Sequence, residues 1–279
     1  NAPAELVIAA SGASAADTLA DATSGVHQYL LSKARTFAIS ASPSYKVASQ
    51  VVGNTTVFAY SFPWDANAGA EALKDTAKAL ELYNQIFGPY ERTTLSVVEA
   101  DFLDGMEYDG LYFLSNGFYN LYDGTPAGYL TAIAVHETSH QWWYGKVGSD
   151  QAIEPWLDEA LATYSEALFY EKDYPDQLNW WQSIRVEFFD PQGFINLPVS
   201  SYPTYDQYRN GVYLNGALFL QALRNLVGDE VFFAFIKDYA TRFAYQRVTT
   251  GDFFTLLEQH TSADLSPLIS EYFDPTIYP

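Results

Sequence analysis

His136-Glu137-Thr138-Ser139-His140 sets two imidazoles four positions apart, with a carboxylate beside the first. On a helix, residues i and i+4 share a face, so both rings can address one point. Glu159 follows His140 by nineteen positions, inside Trp156-Leu157-Asp158-Glu159-Ala160-Leu161-Ala162-Thr163-Tyr164. Two neutral nitrogens and one carboxylate oxygen suit a single Zn2+ ion with its fourth position open, the arrangement that activates a water rather than one that only staples a fold. Glu137 sits where hydrolysis of a peptide bond needs a general base, which can then protonate the leaving amine. A zinc site of the metzincin kind would need Gly and His where this chain has Trp143 and Lys146, so that alternative fails. Glu166, seven residues beyond Glu159 and on the same helical face, is expected to hydrogen-bond a ligand imidazole from behind.

The elements needed to hold these groups are legible in outline. Strand-like stretches run over 5–10, 35–40, 45–52 and 56–62, the last two flanking Gly53-Asn54 as a hairpin. The segment 11–25 reads as a loop or weak helix. From Asn67 to Phe87 the apolar residues Leu73, Ala77, Leu80, Tyr83 and Phe87 keep helical spacing, and Gly88-Pro89 ends the run. Strands at 95–100 and 111–114 flank a turn-rich stretch, 101–110. Helices are then expected near 127–144, 158–171, 176–189, 207–227, 229–243, 251–260 and 266–273. Strands early and helices late imply an α+β fold, a small mixed sheet with a mainly helical lobe.

Composition narrows the setting. Thirty-four acidic against fourteen basic side chains give a net charge of −20, which argues against a nucleic-acid or anionic-membrane surface. There is no cysteine, so disulfides and thiolate metal sites are excluded and any zinc must take nitrogen and oxygen ligands. No apolar run reaches the roughly 18 residues of a membrane span. The start of the chain lacks a basic region and carries Glu5, unlike a signal peptide. The acidic, cysteine-free, tyrosine-rich composition leans toward a secreted, periplasmic or cell-surface setting, without fixing one.

The zinc signature within W-L-x-E-A-L-A-T-Y-x-E closely resembles the aminopeptidase N and leukotriene-hydrolase family of gluzincins. Gly105-Met106-Glu107-Tyr108 is similar to that family's G-x-M-E-N motif, and Tyr213-Leu214-Asn215-Gly216-Ala217 to its Y-x-K-G-A motif. The resemblance implies roles. Glu107 would bind the free α-ammonium of a peptide, and backbone groups at Gly105 and Met106 would line the substrate cleft. Tyr213 would stabilise the oxyanion, with Tyr208 the alternative for that role. It further implies a thermolysin-like catalytic domain over 67–279, preceded by the last strands of a β-domain over 1–66, as a section of a longer protein with further domains. The implied activity is that of a zinc-dependent aminopeptidase acting on peptides with a free N-terminus. An endopeptidase on the same scaffold, or a non-catalytic zinc-containing module that binds peptide or glycan, are the rival readings. The sequence departs from the family at Tyr108 for Asn, Asp104 for Gly, Asn215 for Lys and Asp158 for Asn. Those departures bear on side-chain preference more than on reaction type.

Overall fold

The computed structural model describes residues 1–15 and 25–277, so most of the loop or weak helix expected at 11–25 lies outside the described residues. The chain forms two compact units, Asn1–Leu82 with Tyr90–Gln141, and Tyr83–Pro89 with Trp142–Pro279.

The first unit is built on a five-stranded sheet. Its strands are β1 (Lys46–Val52), β2 (Thr55–Ser61), β3 (Thr94–Ala100), β4 (Gly105–Tyr108) and β5 (Leu111–Ser115), in the order β1-β2-β3-β5-β4. β2, β3 and β5 run parallel, and the two edge strands are antiparallel to their neighbours. The expected hairpin forms with Val52 opposite Thr55, and Gly53 supplies the positive φ (+57°) that its two-residue turn requires. Burial follows from position. β2 alternates, burying Thr55, Val57, Ala59 and Ser61, whereas the central β3 buries every residue from Leu95 to Glu99. Helix α1 (Ala66–Ile86) matches the predicted segment, and helix α2 (Tyr129–Trp143) carries the histidine pair. The Tyr112 hydroxyl on β5 meets the hydroxyls of Thr76 on α1 (2.5 Å) and Thr138 on α2 (3.2 Å), which ties both helices to the sheet through one buried polar node.

Two expectations change here. The turn-rich stretch 101–110 contains β4, an edge strand too short for its alternation to register against the turn residues around it. The strand expected over 35–40 begins later, at Ile39–Ser42, antiparallel to Val7–Ala10. The backbone amides of Arg35 and Thr36 are instead taken by the Asp109 carboxylate.

The second unit is helical around an aromatic core. Its main helices are α3 (Trp156–Asp173), α4 (Gly216–Val227), α5 (Asp229–Arg242), α6 (Thr250–His260) and α7 (Ser266–Tyr272). Trp156 is fully buried against the rings of Phe219, Phe253 and Phe273, at centroid distances of 5.8, 5.0 and 5.2 Å. Its indole N–H donates to the Thr250 hydroxyl at 2.9 Å, so the ring is buried without an orphaned donor. The helix expected at 176–189 is a chain of short turns that includes a π-helical stretch, Trp181–Val186. The helix expected at 207–227 starts as a short turn at Tyr205–Tyr208, widens into π-helix over Arg209–Asn215 and becomes regular only at Gly216. Apolar spacing alone does not distinguish such widened turns from α-helix.

Candidate active site

In the first unit, α2 places His136 and His140 one turn apart, with ring centroids 4.7 Å apart and planes at 74°. His136, Glu137 and His140 are all buried, and their ligand-type atoms lie within 4.8 Å of one another. So many polar groups can occupy a buried helix because their neighbours bond back along it. The Thr138 hydroxyl donates to the Ala134 carbonyl at 2.7 Å, and the Ser139 hydroxyl to the His136 carbonyl at 2.7 Å. The two imidazoles at this spacing offer a small divalent cation a pair of nitrogen donors, with the Glu137 carboxylate beside them and no thiol in the chain to compete.

β4 supplies the other carboxylate. Glu107 is 6% exposed and faces Tyr112 across the β4–β5 pair, and one of its oxygens lies within 4.8 Å of a His140 nitrogen. Gly105, at the start of the strand, has no side chain for a direct reason: a Cβ there would overlap the Glu137 carboxylate, standing 2.6 Å from its Cδ. Met106 pairs with Phe113. Asp104, where the resembled motif has Gly, adopts a positive φ of +84°, the left-handed region that favours glycine. Its own carboxylate accepts the Gly105 amide at 3.1 Å, and its carbonyl accepts the Ser115 amide at 2.8 Å. One residue the sequence did not point out anchors the far end of β4. Asp109 is fully buried, accepts the Arg35 and Thr36 amides at 2.8 and 3.0 Å, and pairs with Arg92 at 2.5 Å.

In the second unit, Glu159 stands in the first turn of α3, beside Asp158, where the helix dipole favours negative charge. Tyr213 lies on the π-helical stretch, and its hydroxyl hydrogen-bonds the Glu159 carboxylate. The widened turn also brings Tyr208 edge-on to it, with ring centroids 5.5 Å apart at 85° and the two hydroxyls bonded. Burial first, and then the Glu159 charge, push the Tyr213 phenol well above its ordinary pKa, so it stays a proton donor across the physiological range. Burial and the same Glu159 charge also raise Tyr208. Gly216, directly after this stretch, lets α4 approach α3 so closely that a Cβ there would overlap that of Ala160 and come 3.3 Å from its Cα.

Glu166 is fully buried on α3. Arg185 donates to its two oxygens at 2.9 and 3.1 Å, and the Trp181 indole donates at 2.8 Å. Sequence spacing gave the face of Glu166 but no sign of Arg185, whose partner is nineteen residues distant. Asp158 accepts the Gln151 amide at 2.5 Å. Among the described residues, no helix is long and apolar enough to cross a membrane.

A family model described as the peptidase family M1 domain matches residues 71–272. Aminopeptidase M1-B of Oryza sativa subsp. japonica is 26% identical over 248 residues, which is 84% of this chain and 28% of that protein. The alanine/arginine aminopeptidase of Saccharomyces cerevisiae is 22% identical over 227 residues, 76% of this chain and 26% of that protein. The chain thus spans little more than a quarter of the length of these curated relatives. Among solved structures, a variant of an M1 zinc metallopeptidase from Deinococcus radiodurans covers 99% of this chain at a TM-score of 0.64 and 22% identity, and the match takes in 64% of that chain. At that identity the likeness is one of fold, a mixed α/β catalytic domain.

Proposed function

We propose, for a chain that belongs to peptidase family M1, that it removes residues from the N-terminus of peptides with one zinc ion held by His136, His140 and Glu159. The observation that carries this reading is the convergence in the first unit. Two imidazoles and the Glu137 carboxylate come within 4.8 Å of one another, with the Glu107 carboxylate equally near His140. The two imidazoles suit zinc: both are buried, and one helix fixes the spacing of their rings in a chain without thiols. Glu159 is assigned by its place nineteen residues beyond His140 and by the acidic first turn it occupies.

Bound there, zinc would polarise the scissile carbonyl and make a water acidic enough to lose a proton near neutral pH. The remaining roles fall to the chain. Glu137 takes that proton on its carboxylate and later delivers it to the leaving amine. The Tyr213 hydroxyl donates a hydrogen bond to the developing oxyanion, a bond that matters most in the transition state. Glu107 accepts the N–H groups of the substrate's α-ammonium, which sets the cleavage point one residue in from the end. Gly105 and Met106 line the approach. Glu166, neutralised by Arg185, supports a ligand imidazole from behind.

Glu137→Gln is expected to retain one zinc per chain and to lower kcat by about 10²–10⁴-fold. Normal turnover by that variant would end its assignment as the base. An aminoacyl anilide with a free amine is expected to be cleaved far better than its N-acetylated form, and equal rates would remove the exopeptidase reading.

A further inference from the structure

Gln141 follows His140 directly, and neither metal binding nor acid–base chemistry gives it work. Its side-chain amide spans the turn that joins β4 to β5. Oε1 accepts the Gly110 amide at 2.9 Å, and Nε2 donates to the Tyr108 carbonyl at 3.0 Å. The Tyr90 hydroxyl adds a longer bond to Oε1, at 3.5 Å. Gln141 is 3% exposed, so water could not readily take over these bonds.

The turn needs such help. Tyr108 pairs with Leu111, which leaves Asp109 and Gly110 as a two-residue loop. Of these only Gly110 has a positive φ, +74°. The two-residue turns whose twist suits a hairpin need a positive φ at the first loop position, which here is Asp109. The hairpin is therefore held from outside its own turn preference. Asp109 and Arg92 hold one side of it, and Gln141 holds the other from the helix that bears the histidines.

We propose that Gln141 is a positioning residue that fixes the register of β4, and with it the Glu107 carboxylate, against the face of α2 carrying His136, Glu137 and His140. Glu107 is one residue from Tyr108, so a slide of the strand moves the amine anchor by nearly the same amount. A displacement of about 1 Å is enough to damage a reacting geometry. The kinetic consequence rests on the aminopeptidase reading above, whereas the structural consequence does not.

The test compares the zinc-loaded chain with Gln141→Met, which keeps length and bulk without polar ends, and with Gln141→Ala. Both variants are expected to hold one zinc. KM for a free-amine aminoacyl anilide is expected to rise about tenfold while kcat changes by less than about threefold. In a Glu107→Gln background, Gln141→Met should raise KM no further, because its effect passes through the lost anchor. Amide hydrogen exchange should quicken over 105–115 and stay unchanged over 129–140. Loss of zinc, or a fall in kcat at constant KM, would overturn the proposal by showing that the side chain serves the metal helix instead. Unchanged exchange over 105–115 in Gln141→Met overturns it too, without reference to catalysis and whether or not Gln141→Ala folds. If the wild type cleaves free and acetylated substrates alike, the aminopeptidase reading falls, and the exchange result still decides what Gln141 does.

Discussion

In the first unit the candidate site residues are held by side-chain hydrogen bonds, to backbone and to one another. In the second they are held by rings and by a distorted helix. Gln141, Asp109 and Tyr112 each tie two elements of the first unit through polar contacts at 2.5–3.2 Å. The second unit instead surrounds α3 with fully buried aromatics and sets Tyr213 on a π-helical turn. Polar clamps fix the local register of the elements that carry the side chains. Ring packing fixes whole helices and leaves individual side chains to follow. Damage to the first unit should therefore appear as lost chemistry in a stable protein, and damage to the second as lost stability.

The strongest test of the second half is Trp156→Ala. Removing an indole packed against Phe219, Phe253 and Phe273 leaves a cavity and an unpaired Thr250 hydroxyl, at a cost of about 3–5 kcal/mol. Denaturant unfolding followed by tryptophan fluorescence would measure it. A loss below about 1 kcal/mol would mean that the aromatic core does not hold α3. Its counterpart in the first unit is Gly105→Val, whose side chain must displace the Glu137 carboxylate. The atoms it meets belong to a flexible side chain that can swing away, so stability should change little. Turnover should fall about a hundredfold, within the range that general acid–base catalysis contributes. Comparable losses of turnover and of unfolding midpoint would break the contrast between the units.

Gly216→Ala sharpens the contrast by placing a single methyl against a rigid neighbour. Its methyl meets Ala160 on a neighbouring helix that cannot swing aside. Overpacking of this kind costs about 1–3 kcal/mol, against roughly 1 kcal/mol that alanine gains over glycine in a helix. The diagnostic is the double variant with Ala160→Gly, which should be more stable than Gly216→Ala alone although Ala160→Gly by itself destabilises. Simple additivity of the two changes would mean that the helices do not touch there.

What could be read in the sequence follows the same division. His136, Glu137, His140 and Glu159 stand on regular helices, where spacing alone sets the face, and a 3.6-residue period converts position into direction. β4 was hidden because four residues show too little alternation, and because Asp104 and Gly105 look like turn residues when one of them in fact opens a strand. The π-helical turn under Tyr213 left no mark in the apolar pattern, so its contact with Tyr208 needed coordinates. The pairing of Arg185 with Glu166 is a long-range contact between two charges, and nothing local announces it. The division that the family resemblance implies at residue 66 falls between β2 and β3, which pair in parallel. Parallel pairing joins distant segments, so local pattern cannot reveal it.

The smallest expected effect lies in the first unit, away from the candidate metal ligands. Glu99 is fully buried on β3, accepts the Phe62 amide at 2.7 Å and neighbours the Asp65 carboxyl. Burial is the main cause that lifts its pKa from 4.5 to about 8, with Asp65 adding to the rise and the Phe62 amide opposing it. The folded chain therefore binds a proton there that the unfolded chain gives up. The stabilising contribution is whole below pH 4.5 and is lost as pH climbs through about 8. Glu99→Gln, which keeps the acceptor for Phe62 and cannot ionise, should flatten that fall between pH 5 and 9. Urea unfolding midpoints of the two proteins at both pH values would decide it. If both lose stability in parallel, the proton does not reside on Glu99, and a polar group in the first unit would have been buried charged at no measurable cost.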